Sequence, residues 1–253
     1  MKLGKLQTGL KKLFKSPFFY ALAPTLVFAF VILKRRWSLY HDSFHLFLTN
    51  YILFNEFVTN FSFPLWYPYD QLGVNANWYL FRMGPSLAAL LPFAKIFTGI
   101  NFYHIYYASL FLDELILLAG IYLLARSVFK SPLTAIFVGI AATGSTFWVI
   151  QMYFNFHFYY FIPFALYYAL TGCKENSLWR VVFGGSLLMA SLFGSFLYAS
   201  FPLALAYLLF TGTCVWVYGT DVKAAFRNSG RRELLTIAFL VALMAVYALV
   251  LTY

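Results

Sequence analysis

The chain has 253 residues, of which 62% are hydrophobic, 23% aromatic and only 10% charged, and its mean hydropathy is +0.76. That composition excludes an ordinary water-soluble domain and predicts an all-α fold: a polytopic α-helical membrane protein, organised as a single membrane domain over residues 1–253. The net charge of +10 raises the question of a nucleic-acid partner, but the placement of the basic residues argues against one and for membrane lipids.

The N-terminus is basic and leads into a first apolar run, Phe18 to Leu33. Lys34-Arg35-Arg36 follows it with no small-residue cleavage site, which predicts an uncleaved span and not a signal peptide. Further apolar runs are Tyr103 to Ala125, Leu133 to Ile150, Phe154 to Leu170, Val181 to Phe193, Phe196 to Tyr218 and Leu234 to Tyr253. Measured against a hydrocarbon core of about 30 Å, they give about seven transmembrane helices. With the N-terminus inside, one side receives Lys2, Lys5, Lys11, Lys12, Lys15, Arg126, Lys130, Lys174, Arg180, Lys223, Arg227, Arg231 and Arg232. The other receives only Lys34, Arg35, Arg36, Arg82 and Lys95. This asymmetry predicts a cytoplasmic N-terminus and a long first extracytoplasmic loop over residues 34–101.

That loop is the one long connection, and function is expected there. Its first part, Trp37 to Asn60, reads as an interfacial helix on which Asp42, His45, Thr49, Glu56 and Asn60 share one polar stripe. Phe61 to Trp78, punctuated by Pro64, Pro68 and Gly73, reads as an ordered turn system. Ser86 to Phe97 is apolar but too short to cross a bilayer, and reads as a second interfacial or re-entrant helix. Gly139, Gly144 and Ser145 in the third span, and Gly184, Gly185, Ser186 and Ser191 in the fifth, permit close helix packing. Cys173 and Cys214 have no metal-ligand spacing and read as unpaired structural thiols. The last span stops at Tyr253 with no polar flank, which predicts that the chain is the N-terminal part of a longer protein, truncated at its C-terminus.

Several side chains are candidates for chemistry. Asp42 is either a general base or metal ligand at the water boundary, or a solvated acid on an interfacial helix. His45 lies at i+3 and is placed to orient it or share its proton, with His41 competing for that role. Asp70 reads as a turn acid or a sugar contact, and Glu56 as a stripe residue or a substrate contact. Arg82, the isolated cation of the loop, offers a planar fork to a phosphate or snorkels to lipid heads. Asn155 and His157 open the fourth span on the same face as Asp42, as cavity or aromatic-belt residues. Asp113 and Glu114 lie near the middle of the second span, where charge costs at least about 2.5 kcal/mol on insertion scales. With no Lys or Arg in any span to pair with, they are expected to be bonded to groups such as Ser109 or a Tyr, or to face a hydrated cavity. No set of these acids has a spacing that specifies a metal site.

The pattern resembles the bacterial YfhO-type membrane proteins of the GT-C superfamily of polyprenyl-phosphate-sugar-dependent glycosyltransferases. The resemblance rests on His41-Asp42 outside the first span and on Pro64-Leu65-Trp66-Tyr67-Pro68-Tyr69 with Gly73 after it. It continues through Tyr122-Leu123-Leu124-Ala125-Arg126, Gly139, Gly144, Asn155 and Pro163, over roughly residues 30–170. The family pattern has Gly where this chain has His41, and Asn where it has Tyr67. The resemblance implies a multi-pass protein of the bacterial inner membrane. It further implies an inverting transfer of sugar from a polyprenyl-phosphate donor to an extracytoplasmic acceptor such as an envelope glycan, with Asp42 as base. Arg82 or a divalent cation, Mg or Mn, would stabilise the leaving phosphate; no other cofactor is implied. The rival reading is non-enzymatic: a transporter, flippase or assembly subunit for envelope lipids, with Asp113 and Glu114 lining a polar pathway.

Overall fold

The computed structural model describes residues 42–60, 66–67, 74–75, 85–90, 93, 96, 99–143, 160–193 and 197–252. The expected first span and the candidates Asp70, Arg82, Asn155 and His157 lie outside the described residues. The described chain is helical apart from one two-residue ladder. In order come α1 (Asp42–Asn60), β1 (Trp66–Tyr67), β2 (Val74–Asn75), α2 (Pro85–Leu90) and α3 (Phe102–Phe129). Then follow α4 (Pro132–Thr143), α5 (Ile162–Lys174), α6 (Leu178–Phe193), α7 (Leu197–Tyr218), α8 (Val222–Asn228) and α9 (Arg231–Thr252).

Helix α3 is the spine. Asn101 caps it, its side-chain oxygen accepting from the Tyr103 amide at 2.9 Å. At the other end Lys130 takes the left-handed conformation, φ 57°, and its amide returns to the Arg126 carbonyl. Ser131 then caps α4 through Thr134 at 3.3 Å, and Pro132 fills the first turn, where its missing amide hydrogen costs nothing. The result is a two-residue connection between helices that pack together, Leu118 against Ile136 with Tyr122 and Ile140 around them. Gly139 sits against Leu118, as its small size led us to expect.

Helix α5 crosses α3 at Gly120, where a Cβ would stand 2.8 Å from the Phe164 ring. It ends in a Schellman turn: the Ser177 amide reaches the Gly172 carbonyl at 2.8 Å, with Asn176 left-handed at φ 51°. The same motif ends α7, where Thr220 bonds the Val215 carbonyl across left-handed Gly219. Thr220 Oγ1 also donates to the Cys173 carbonyl at 3.0 Å, joining the two helix ends. Cys173 and Cys214 are buried, free thiols in one cluster with Leu170. Lys174 closes this end of the bundle, donating to the Ser127 carbonyl at 3.1 Å and lying over the Tyr218 ring.

Helix α6 packs on α5, α7, α8 and α9. Its contact with α5 and α7 is built on Ala165, Ala169, Leu188 and Tyr207. Gly184 permits the closest approach, whereas a Cβ at Gly185 would meet nothing nearer than 3.9 Å. Of the other small residues expected to support packing, Gly144 and Ser145 lie outside the described residues, as does the side chain of Ser191.

Among the described residues one helix, α3, is long and apolar enough to cross a membrane. Its 28 residues span about 42 Å at 1.5 Å per residue. Shorter apolar helices are Pro132–Ala142, Leu178–Met189 and Leu203–Tyr218.

Candidate functional site

The polar residues that sequence reasoning singled out divide into two groups: the N-terminal end of α1, and the middle of α3. The described part of α1 starts at Asp42, so Asp42 and His45 both stand on this helix; their side chains lie outside the described residues. Further along, the expected polar stripe does not face one environment. Thr49 is fully buried, while Glu56 is half-buried and accepts from the exposed Asn60 amide at 2.8 Å. Asn50, off the stripe, is also fully buried, and neither its Oδ1 nor its Nδ2 finds a hydrogen-bond partner among the described residues.

Another face of α1, which carries Phe47, Tyr51 and Phe54 and lies about opposite Thr49 at 100° per residue, forms a seam of rings with α3. Phe102 meets Phe47, Tyr51 and Phe54 at 5.5, 5.5 and 5.2 Å between ring centroids, and Phe47 also meets Tyr106 at 5.2 Å. Offset and edge-on pairs of this kind add about 0.5–1.5 kcal/mol each beyond burial. Phe47 also meets Tyr103 at 6.3 Å, so Phe47 and Phe102 each touch several rings of the other helix and centre the contact. The acid-bearing middle of α3 lies further along that helix.

There Asp113 and Glu114 are both buried, at 0% and 1% exposure. Consecutive on a helix, they point about 100° apart and meet different neighbours. Asp113 Oδ1 accepts from the backbone amide of Ser86, on α2, at 2.8 Å. Its Oδ2 has no partner among the described residues, nor has Glu114 Oε2. Tyr160, fully buried against Leu117, is near enough to Asp113, Glu114 and Tyr106 to couple to all three electrostatically. Ser109, an expected partner of the acids, donates instead to the Tyr106 carbonyl at 2.7 Å. No described Lys or Arg forms an ion pair with either acid.

The Ser86 contact also fixes how the 34–101 segment meets the bundle. Asp113 lies ten residues beyond Tyr103, about 15 Å along the helix axis. Helix α2 therefore packs beside α3 at that level, and Leu87 is buried there. Before it, Trp66 pairs with Asn75 and Tyr67 with Val74 in an antiparallel ladder. The remainder of the expected turn system, Pro64, Pro68 and Gly73 included, lies outside the described residues.

A hard divalent cation needs about six oxygen ligands. Among the described residues no three His, Cys, Asp or Glu side chains come together to supply such a shell. The described donors do not fit Mg or Mn. Sequence reasoning found Asp113 and Glu114 from the cost of charge in an apolar run. It did not find Ser86, Asn50 or Tyr160, because nothing local marks a backbone amide or a buried ring as a partner. Comparison of the chain with protein-family models, with curated proteins and with solved structures finds no match.

Proposed function

We propose that the chain is the core of a multi-pass glycosyltransferase of the bacterial inner membrane, using a polyprenyl-phosphate sugar donor and an extracytoplasmic acceptor such as an envelope glycan. The observation that carries this reading is that Asp42 stands on a helix joined by rings to α3, which is long and apolar enough to cross a membrane. The pairing of Trp66–Tyr67 with Val74–Asn75 supports it, since these residues lie in and just after the stretch that carries the family resemblance. So do the apolar side chains left exposed on α7 and α9, among them Leu208, Leu209, Trp216 and Phe239, which suit contact with lipid.

In this reading Asp42 takes the proton of an acceptor hydroxyl while that oxygen attacks the anomeric carbon. The bond to the polyprenyl phosphate breaks with inversion, and Arg82 meets the charge that develops on the departing phosphate. His45 orients Asp42, and Asp70, Glu56, Asn155 and His157 contact substrate. Asp42→Asn should abolish transfer to an outer-face acceptor and leave membrane insertion intact; unchanged transfer would sink the assignment.

The unpartnered oxygens of Asp113 and Glu114 favour a second reading, a transporter, flippase or assembly subunit for envelope lipids in which these acids line a polar pathway. It expects Glu114→Gln to abolish lipid movement across vesicles while Asp42→Asn leaves it intact.

A further inference from the structure

The segment between the first span and α3 is held to the bundle by two legs of different construction. The first is α1, fixed by Phe47, Tyr51 and Phe54 around Phe102. The second is α2, which has only six residues and is far below the length at which a helix holds itself together in isolation. Its first-turn amides have no acceptor within the helix, and it lies beside an apolar stretch of α3 where an unmet amide costs about 1–3 kcal/mol. Asp113 meets that need: its carboxylate accepts from the Ser86 amide at 2.8 Å. Leu87, at 1% exposure, packs next to it.

We infer that Asp113 is a positioning residue, whose carboxylate seats α2 against α3 and fixes the second leg of the loop that carries Asp70 and Arg82. The inference rests on the glycosyltransferase reading for what the loop does, but not for how the loop is held. It separates the roles of two acids that are adjacent in sequence. Asp113 acts on the chain's own backbone, and Glu114, which has no such bond, does not.

The test is amide hydrogen exchange on the full chain in lipid nanodiscs, with Asp113→Ala and Asp113→Asn. Losing a bond to a charged acceptor should speed exchange across α2 by about tenfold to a hundredfold in Asp113→Ala. Exchange in α1, α5 and α6 should not change. Asn keeps an oxygen that accepts the same amide, so Asp113→Asn should restore slow exchange in α2, and should rescue sugar transfer wherever Asp113→Ala impairs it. Unchanged α2 exchange in Asp113→Ala overturns the inference, as does an Asp113→Asn chain as loosened as the Ala variant. If Asp113→Ala fails to fold, the unaltered chain decides: the Ser86 amide must exchange as slowly as amides in the middle of α3, and exchange at the rate of an exposed loop overturns the inference. Absence of transferase activity beside the expected exchange pattern would count against the proposed function alone.

Discussion

The Tyr207 hydroxyl donates to the Val181 carbonyl at 3.2 Å, bridging α7 to α6 three residues before Gly184. Gly184 makes room for the bridge: a Cβ there would lie 2.7 Å from the Ala165 carbonyl oxygen and 2.8 Å from the Tyr207 hydroxyl oxygen. Gly184→Val should therefore destabilise the three-helix contact by about 1–3 kcal/mol through overpacking. Gly185→Ala, whose Cβ meets nothing within 3.9 Å, should leave it unchanged. Thermal unfolding in detergent compares the two, and equal midpoints would show that α6 does not approach its neighbours this closely.

Phe102 is the hub of the α1–α3 seam. Phe102→Ala removes its three ring contacts to α1, with Phe47, Tyr51 and Phe54, and one to Tyr106, and should cost about 3–5 kcal/mol. The loss should be local, with faster amide exchange in α1 and no change in the α5–α6 core. A uniform loss of protection would mean that the seam supports the whole bundle.

Glu114 is buried with one oxygen unpartnered among the described residues. A polar atom in that position costs about 1–3 kcal/mol, so Glu114→Met, similar in volume and apolar, should raise the unfolding midpoint. If the acid serves lipid movement, the same variant loses that activity as it gains stability. A lower midpoint would reveal a partner for the carboxyl in the folded chain.

Cys173 lies past the end of the expected fourth span, and burial pushes its thiol pKa up, opposed in part by the nearby Thr220 hydroxyl, which donates to the Cys173 carbonyl. The folded chain then holds the thiol proton more tightly than the unfolded chain. The stability this contributes is fully present below the unfolded thiol's pKa and falls as pH rises through the folded value. Maleimide at neutral pH should label Cys173 far more slowly than a free thiol, and faster as pH rises. Labelling at the free-thiol rate would contradict its burial.

Helix ends were legible wherever a residue's own covalent geometry sets them. Pro132 opens α4, and Pro163 stands in the first turn of α5. Hydropathy drew the fourth span from Phe154; residues 154–159 lie outside the described residues, and α5 opens at Ile162. The 100° projection placed Thr49 on one polar stripe with Asn60, yet Thr49 is buried and Asn60 exposed, since a projection knows one helix and not what packs against it. The same limit hid the anchor of α2, because a bond between residues 27 apart leaves no trace in either local sequence. The acids of α3 were legible for the opposite reason: charge in an apolar run needs explaining wherever its partner comes from.

Gly172 belongs to two structures at once. Its carbonyl receives the Ser177 amide that terminates α5, and its missing side chain admits Val181, whose Cγ2 would stand 2.7 Å from a Cβ at that position. The sharpness of the corner and the closeness of the two helices after it are thus set by a single residue. Lengthening the corner and enlarging residue 172 amount to the same lesion, and a change that repairs one must also repair the other.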